Sequence, residues 1–129
     1  MIELCFQLTK RYAEWHHDKN HYNLEYEGKF KILINGEIFF HDDFFVVCEF
    51  LEAALAWRQL PNNRPLHYNC IDTDDNPLIS FVNIKDDEWK ILSPWQRFRC
   101  NDLFTKKELA CAVEQLNAKV EEAIRIFCD

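Results

Sequence analysis

Three histidines and an aspartate lie within six residues of one another near the start of the chain: His16, His17, Asp18 and His21. Imidazole and carboxylate groups are suitable ligands for zinc or nickel. Their spacing differs from that of a helical site such as HExxH, and the segment has no clear secondary-structure pattern. A polar surface loop is therefore the favoured interpretation. A metal-dependent or hydrolytic enzyme that uses these histidines, or His41, is the alternative.

A second group of possible ligands has the opening spacing of a calcium loop. Asp72, Asp74 and Asn76 occupy its first, third and fifth positions. However, the sixth position holds Pro77, where such loops need glycine, and the twelfth holds Asn83, where they need a bidentate glutamate. The pattern thus favours a solvated hairpin turn over a calcium site.

Nucleophilic catalysis has little support in this sequence. Cys70 and His67 lie three apart on one predicted strand, so their side chains should point to opposite faces. There is no GxSxG motif, and a chain with two glycines has little scope for a phosphate-binding loop. The six cysteines are scattered without a CxxC pair, which favours free thiols packed as small hydrophobic residues over disulfides or zinc. We expect a protein without enzymatic activity, metal or cofactor.

The negative charge of the chain is concentrated in two segments. The net charge is −7, and residues 32–57 contain five acids with no lysine or arginine. Residues 72–88 contain six acids against Lys85 alone. An acidic field repels phosphate backbones and attracts basic surfaces. A basic protein partner is therefore expected, and direct binding to nucleic acid is not.

Aromatic residues accompany the second acidic segment. Tryptophan beside acidic residues is typical of an interface anchor with a charged rim, although Trp89 is expected to point into the core. Trp95 follows Pro94, and its position in the sequence is equally compatible with an interface anchor and with a core residue. The candidate partner-binding residues are Asp72, Asp74, Asp75, Asp86, Asp87, Glu88 and Trp95.

A β-hairpin is predicted around Asn35-Gly36. These residues separate two β-forming runs, 30–34 and 37–40, and Asn-Gly favours a two-residue type I′ turn. In that register Leu33 faces Ile38 and Ile32 faces Phe39. Further strands are predicted at 2–9, 66–71, 78–84 and 88–92.

Two helices are predicted. The first covers residues 44–60 and would be capped by Asp42 or Asp43. The second begins with a capping box formed by Thr105 and Glu108. It carries one apolar stripe suited to docking on a sheet: Leu109, Val113, Leu116, Val120, Ala123 and Phe127.

These elements follow the order β-β-β-α-β-β-β-α. Hairpin connections imply an α+β fold with a single antiparallel sheet of about six strands and both helices on one face. At 129 residues the chain fits a single domain, 1–129. No apolar run approaches the length of a membrane span, and the first residues lack a secretion signal, so a cytoplasmic location without membrane association is expected.

The layout and the stretch NPLISFVNIKDDEWKILSPWQ, residues 76–96, resemble small acidic bacterial immunity proteins of the contact-dependent inhibition or polymorphic toxin type. This resemblance implies a cytoplasmic protein that covers the active site of a cognate toxin, often a basic nuclease domain. It transfers no site residue. A homo-oligomeric adaptor that buries the second apolar face of the hairpin is a further alternative.

Overall fold

A computed structural model describes residues 1–12, 26–71 and 73–127 of the chain. The predicted histidine cluster, His16, His17 and His21, lies outside the described residues, as do Asp72 and Cys128. The described residues form the following strands and helices: β1 (Ile2–Arg11), β2 (Tyr26–Ile34), β3 (Glu37–Phe45), α1 (Val47–Trp57), β4 (Leu66–Tyr68), β5 (Ile79–Lys85), β6 (Glu88–Leu92) and α2 (Lys106–Phe127).

The strands form two antiparallel sheets, in the orders β1-β2-β3 and β4-β5-β6. The α+β class and the element order are confirmed, but the expectation of one six-stranded sheet is wrong. The segment after β6 forms backbone hydrogen bonds with an edge strand of each sheet, where a further strand would otherwise pair. Its Arg97 amide donates to the carbonyl of Phe39 on β3 (2.9 Å), and its Phe104 pairs with Trp89 on β6. Helix α1 contacts β2 of the first sheet and β4 of the second.

The first hairpin has the predicted turn. Asn35 and Gly36 have φ values of 51° and 85°, and Ile34 pairs with Glu37 across them. Positive φ at both central residues is what a type I′ turn requires, and glycine adopts it without steric cost. The two-residue connection is therefore confirmed.

The hairpin register departs from the prediction two residues beyond the turn. Leu33 pairs with Ile38 as expected, whereas Ile32 pairs with Phe40 and not with Phe39. One additional residue in β3 causes this shift, as in a β-bulge. Phe39 and Phe40 are consequently both buried, which regular alternation along a strand would not allow.

The helix predicted at 44–60 begins later, because β3 continues through the two aspartates to Phe45. Phe45 stacks on Phe30 of β2 with 4.2 Å between ring centroids, and both rings are buried. Helix α1 starts at Val47 without a side-chain cap. Strand pairing and aromatic packing therefore outweigh the capping tendency of Asp42 and Asp43.

The hydrophobic core is one cluster with residues from both sheets and both helices. Trp57 of α1 lies edge-on to Phe81 and Trp89 of the second sheet, with centroid separations of 5.2 and 5.4 Å. Trp89 is fully buried, which confirms the core position expected for it. The core explains why α1 contacts both sheets.

Helix α2 begins with the predicted capping box. The Glu108 amide donates to Thr105 Oγ1 (3.0 Å), and the Thr105 amide donates to Glu108 Oε1 (3.1 Å). The stripe packs against β1 and α1, but Phe127 at its end is exposed, contrary to the prediction. The buried members of the stripe are Leu109, Val113, Leu116 and Val120.

The cysteines within the described residues carry free thiols, as expected: Cys5, Cys48, Cys70, Cys100 and Cys111. Burial raises the pKa of the Cys5 thiol, and the nearby Glu3 carboxylate adds to this rise. No helix in the described part of the chain is long and apolar enough to cross a membrane.

Candidate partner-binding cleft

Strand β5 separates the predicted acidic residues into two groups. Asp74 and Asp75 precede the strand, whereas Asp86, Asp87 and Glu88 follow it. Seven residues at about 3.3 Å each make the strand roughly 20 Å long, so the two groups lie at opposite ends. Strand β6 runs antiparallel to β5, which returns the chain to the Asp75 end before Trp95. The predicted residues therefore do not form one surface.

At the β5–β6 end, the Asp87 carboxylate stabilises the fold. Asp87 Oδ1 accepts hydrogen bonds from the backbone amide of Lys106 (3.0 Å) and from the indole of Trp89 (3.2 Å). Lys106 opens α2, where backbone amides lack partners within the helix and the helix dipole favours negative charge. Asp86 occupies the turn with a φ of +46°, and both Asp86 and Glu88 are at the surface or near it.

At the other end, Asp75 holds the side chain of Trp95. The indole Nε1 of Trp95 donates to Asp75 Oδ2 at 2.8 Å. The indole also stacks on Phe40, with rings 5.9 Å apart and 9° from parallel, and the backbone amide of Trp95 donates to Ser93 Oγ (3.0 Å). Trp95 is partly buried. Its ring is thus fixed in orientation while part of it remains accessible.

Trp95 forms one wall of a surface cleft of about 370 Å³, which we call the Trp95 cleft. The cleft combines aromatic side chains with carboxylates, and Asp75 is attached to its wall through the Trp95 indole. The lining residues are Tyr12, Glu27, Asp42, Phe44, Cys70, Thr73 and Trp95. They come from β2, β3 and the segments that follow β1, β4 and β6, so the cleft exists only in the folded chain.

A second β-bulge places two of these residues. Gly28 pairs with Phe45 and Phe30 pairs with Asp42, so β3 has one additional residue between its two partners. The Phe44 amide donates to Asp42 Oδ1 (2.9 Å) within this bulge. Bulges commonly redirect side chains next to binding sites. Here Asp42 and Phe44 both line the cleft, while Phe45 returns to the core.

Glu27 supplies a buried carboxylate at the cleft. Only 8% of the residue is exposed, and the Tyr12 hydroxyl donates to its Oε2 at 2.6 Å. Among the residues that the structure describes, no lysine or arginine forms an ion pair with it. Buried carboxylates are ordinarily paired with a cation, because burial removes the hydration of the charge.

The neighbouring residue, Gly28, allows β1 to approach β2 closely. A Cβ atom at this position would lie 2.1 Å from the backbone oxygen of Gln7 and 2.8 Å from the Phe6 ring. Any other residue would therefore force the strands apart. Because Tyr12 follows β1 and Glu27 lies on β2, this close approach also sets their separation in the cleft.

His41 helps to hold the segment that carries Trp95. Arg97 can only donate, so its Nη2 donates to His41 Nδ1 (3.1 Å), and His41 Nε2 then donates to Asp43 Oδ1 (2.6 Å). Together with the bond from the Arg97 amide to the Phe39 carbonyl, this chain attaches the loop after β6 to β3. The geometry gives His41 a structural use.

The other groups considered for chemistry are also engaged in the fold. His67 Nδ1 contacts Ser80 Oγ (3.0 Å), whereas Cys70 is buried and lines the cleft. The Asn76 side chain accepts from the Cys70 amide (2.8 Å) and donates to the Thr73 carbonyl (2.7 Å), which closes the turn before β5. Within the described ranges, no group of three or more potential ligands could hold a metal ion.

Of the seven residues that line the cleft, the sequence predicts only Trp95 as a partner-binding residue. It misses the other six: Tyr12, Glu27, Asp42, Phe44, Cys70 and Thr73. The sequence pattern instead predicts a helix start at Asp42 and Phe44, and it gives no signal for Glu27. The useful signal was the spacing of Phe40 and Phe45. Residues five apart face opposite sides of a regular strand, so burial of both requires a bulge between them.

A family model described as a domain of unknown function, DUF7878, matches residues 4–126. The chain belongs to this family. No curated protein and no solved structure matches the chain. The DUF7878 match includes every residue of the Trp95 cleft and both acidic ends of β5.

Proposed function

We propose that this DUF7878 protein is a non-enzymatic, cytoplasmic binding protein that captures a basic protein partner through the Trp95 cleft. In its specific form, the proposal is an immunity protein that neutralises a cognate bacterial toxin, such as a basic nuclease domain, by covering its active site. The observation that carries the proposal is a cleft with fixed aromatic walls, buried acidic character and exposed apolar residues at its margin.

The exposed apolar residues favour a protein as the ligand. Phe44 lines the cleft and is 71% exposed, and Ile71, next to the lining residue Cys70, is 62% exposed. Protein interfaces concentrate aromatic and apolar anchors at their centre and place polar groups around them. The same combination surrounds the Trp95 cleft.

The charges favour a basic partner. Glu27 and Asp42 line the cleft, Asp75 is bonded to its wall, and Asp74 lies beside Asp75 on the surface. The whole chain has a net charge of −7. Such a field would accelerate association with a basic domain and would repel nucleic acid, the substrate of a nuclease.

Capture of the product of the adjacent upstream gene tests this proposal. Two matched variants each remove two negative charges with little change of shape: Asp74→Asn with Asp75→Asn at the cleft, and Asp86→Asn with Glu88→Gln at the other end of β5. Binding would be measured by titration calorimetry at several salt concentrations. We expect the cleft variant to bind about tenfold or more weakly and the other variant to bind as the wild type does.

Equal affinities for the two variants would remove the cleft from the interface. If no basic partner is captured, and the purified protein instead binds zinc or nickel and catalyses hydrolysis, the protein is a metal-dependent enzyme, as in the alternative interpretation. That alternative uses His16, His17 and His21, which lie outside the described residues. Self-association in sedimentation without another partner would favour the oligomeric adaptor.

A further inference from the structure

The chemistry of the Trp95 cleft indicates which group of a partner enters it. We propose that the cleft receives the guanidinium group of an arginine side chain. The inference deepens the proposed function, since it rests on that function for the view that the arginine belongs to a protein. The cleft's preference for a guanidinium group can be tested independently of any partner.

The first argument is the unpaired charge of Glu27. Only 8% of the Glu27 residue is exposed, and its carboxylate accepts one hydrogen bond, from Tyr12, among the contacts of the described residues. A carboxylate oxygen can accept more than this, and a buried negative charge is stabilised strongly by a cation. Asp42, on the same cleft, adds a second carboxylate. Among the described residues, Glu27 therefore has no positively charged hydrogen-bond donor.

The second argument is the aromatic surface. Phe40 covers one face of the Trp95 indole, and Asp75 accepts its N–H, so the remaining surface of the indole is what the cleft presents. Lys10 Nζ already lies 4.3 Å from the centre of the Tyr12 ring. A further cation would therefore stack on Trp95, with Phe44 at the side. Tryptophan is the most favourable aromatic residue for cation–π contact.

The third argument distinguishes arginine from lysine. A guanidinium group is planar, so it stacks on an indole while its edge donates hydrogen bonds to carboxylates. An ammonium group is a compact, strongly hydrated charge that cannot do both as well. The cleft, at about 370 Å³, is near the lower limit of about 300 Å³ for ligand pockets, which suits one side chain better than a large ligand.

The test uses the full-length, ¹⁵N-labelled chain and the probe Nα-acetyl-L-arginine amide. Titration at constant ionic strength would follow the Trp95 indole N–H signal. The citrulline analogue, which has the same shape without the charge, and the lysine analogue are the matched ligands. We expect saturable binding of the arginine probe, about tenfold weaker binding of the citrulline analogue, and intermediate binding of the lysine analogue.

Variants locate the binding in the cleft. Glu27→Gln keeps the shape and the acceptor for Tyr12 but removes the charge, so binding of the arginine probe should weaken about tenfold. Asp86→Asn, at the other end of β5, should leave it unchanged. If Glu27→Gln perturbs the spectrum of the free protein, Asp42→Asn serves the same purpose at another carboxylate that lines the cleft.

Equal binding of the arginine and citrulline probes, or equal effects of Glu27→Gln and Asp86→Asn, would overturn this inference. It would also be overturned by shifts that spare Trp95. Such a result would leave the proposed function intact if a basic partner is still captured and the variant with Asp74→Asn and Asp75→Asn still binds that partner more weakly than the wild type does. Conversely, specific binding of the arginine probe without any protein partner would refute the proposed function but not the guanidinium site.

Discussion

The two ends of β5 contain similar residues but use them differently. Each end has aspartates and a tryptophan whose indole N–H donates to one of them, Trp89 to Asp87 and Trp95 to Asp75. At the β5–β6 end, Trp89 is fully buried and Asp87 also accepts from the first amide of α2. At the cleft end, Trp95 is partly buried and borders an open cavity.

This difference shows that an acidic residue beside a tryptophan does not by itself indicate a binding site. What distinguishes the two ends is whether the carboxylate completes an unsatisfied part of the fold. Asp87 does so, since a helix N-terminus needs hydrogen-bond acceptors. Asp75 instead orients a ring that other molecules can reach. We therefore expect changes at one end to affect stability and changes at the other to affect binding.

The largest change in the free energy of unfolding is expected for Gly28, where β1 and β2 approach each other closely beside the cleft. Gly28→Ala places a methyl group against the backbone of β1, so β1 and β2 must separate or tilt. We expect the free energy of unfolding to fall by about 3 kcal/mol, at the upper end of the usual overpacking cost. Urea denaturation followed by circular dichroism would measure this loss. Amide exchange should show β1 losing more protection than β5.

Gly36→Ala is the control, because its added methyl group meets no atom within 4 Å but the residue keeps a φ of +85°. Its cost should be about 1 kcal/mol, the strain of a left-handed conformation. If the two substitutions cost the same, the close approach of β1 and β2 is not what makes Gly28 necessary.

The next effect concerns the structural end of β5. Asp87→Ala removes the acceptor for the Lys106 amide and for the buried Trp89 indole. Two lost hydrogen bonds and a lost helix-dipole contact should lower the free energy of unfolding by about 1–2 kcal/mol. Urea denaturation would measure it, with Asp86→Asn expected within about 0.5 kcal/mol of the wild type. The folded Asp87→Ala variant should bind the arginine probe as the wild type does. If it binds the probe much more weakly, the two ends of β5 do not have separate roles.

Much of the local structure could be predicted from the sequence because local signals determine it. Asn35-Gly36 specifies its turn through φ, and Thr105 with Glu108 specifies the start of α2 through two reciprocal hydrogen bonds. The prediction failed where distant residues decide. Phe45 stacks on Phe30 and belongs to the first sheet, and this packing outweighs the local preference of Asp42 for a helix cap.

The sequence could not predict the cleft or the division into two sheets, because contacts between distant residues determine both. Alternation identifies strands but does not show that Arg97 and Phe104 cover strand edges. The cleft combines Glu27, Trp95 and Asp42 from three separate parts of the chain, and no short spacing relates them. The one local signal at the cleft is a tryptophan, Trp95, near acidic residues. The same signal occurs at the other end of β5, so it does not distinguish the two ends.

A smaller change in stability, in this case an increase, is expected for Glu27→Gln in the absence of a ligand. The substitution removes a buried charge and retains an acceptor for the Tyr12 hydroxyl. Because the substitution removes the desolvation cost of a buried charge, we expect the free energy of unfolding to rise by about 0.5–1 kcal/mol. Thermal and urea denaturation at pH 7 would measure the change. Destabilisation by Glu27→Gln would mean that the carboxylate serves the fold, as Asp87 does, and not a ligand.

The smallest effect on stability is expected for Asp75→Ala, and it tests the comparison most directly. Asp75 is exposed, so water can replace its carboxylate at the Trp95 indole, and the free energy of unfolding should change by less than about 0.5 kcal/mol. The orientation of the indole should nevertheless be lost. The Trp95 indole N–H signal should move, and the arginine probe should bind several-fold more weakly. Asp75→Asn retains an acceptor oxygen for the indole and should weaken that binding less than Asp75→Ala does, whereas a purely electrostatic role would make the two substitutions equal. A stability loss for Asp75→Ala as large as that of Asp87→Ala would instead show that both ends of β5 hold the fold together, and the Trp95 cleft would lose its distinction.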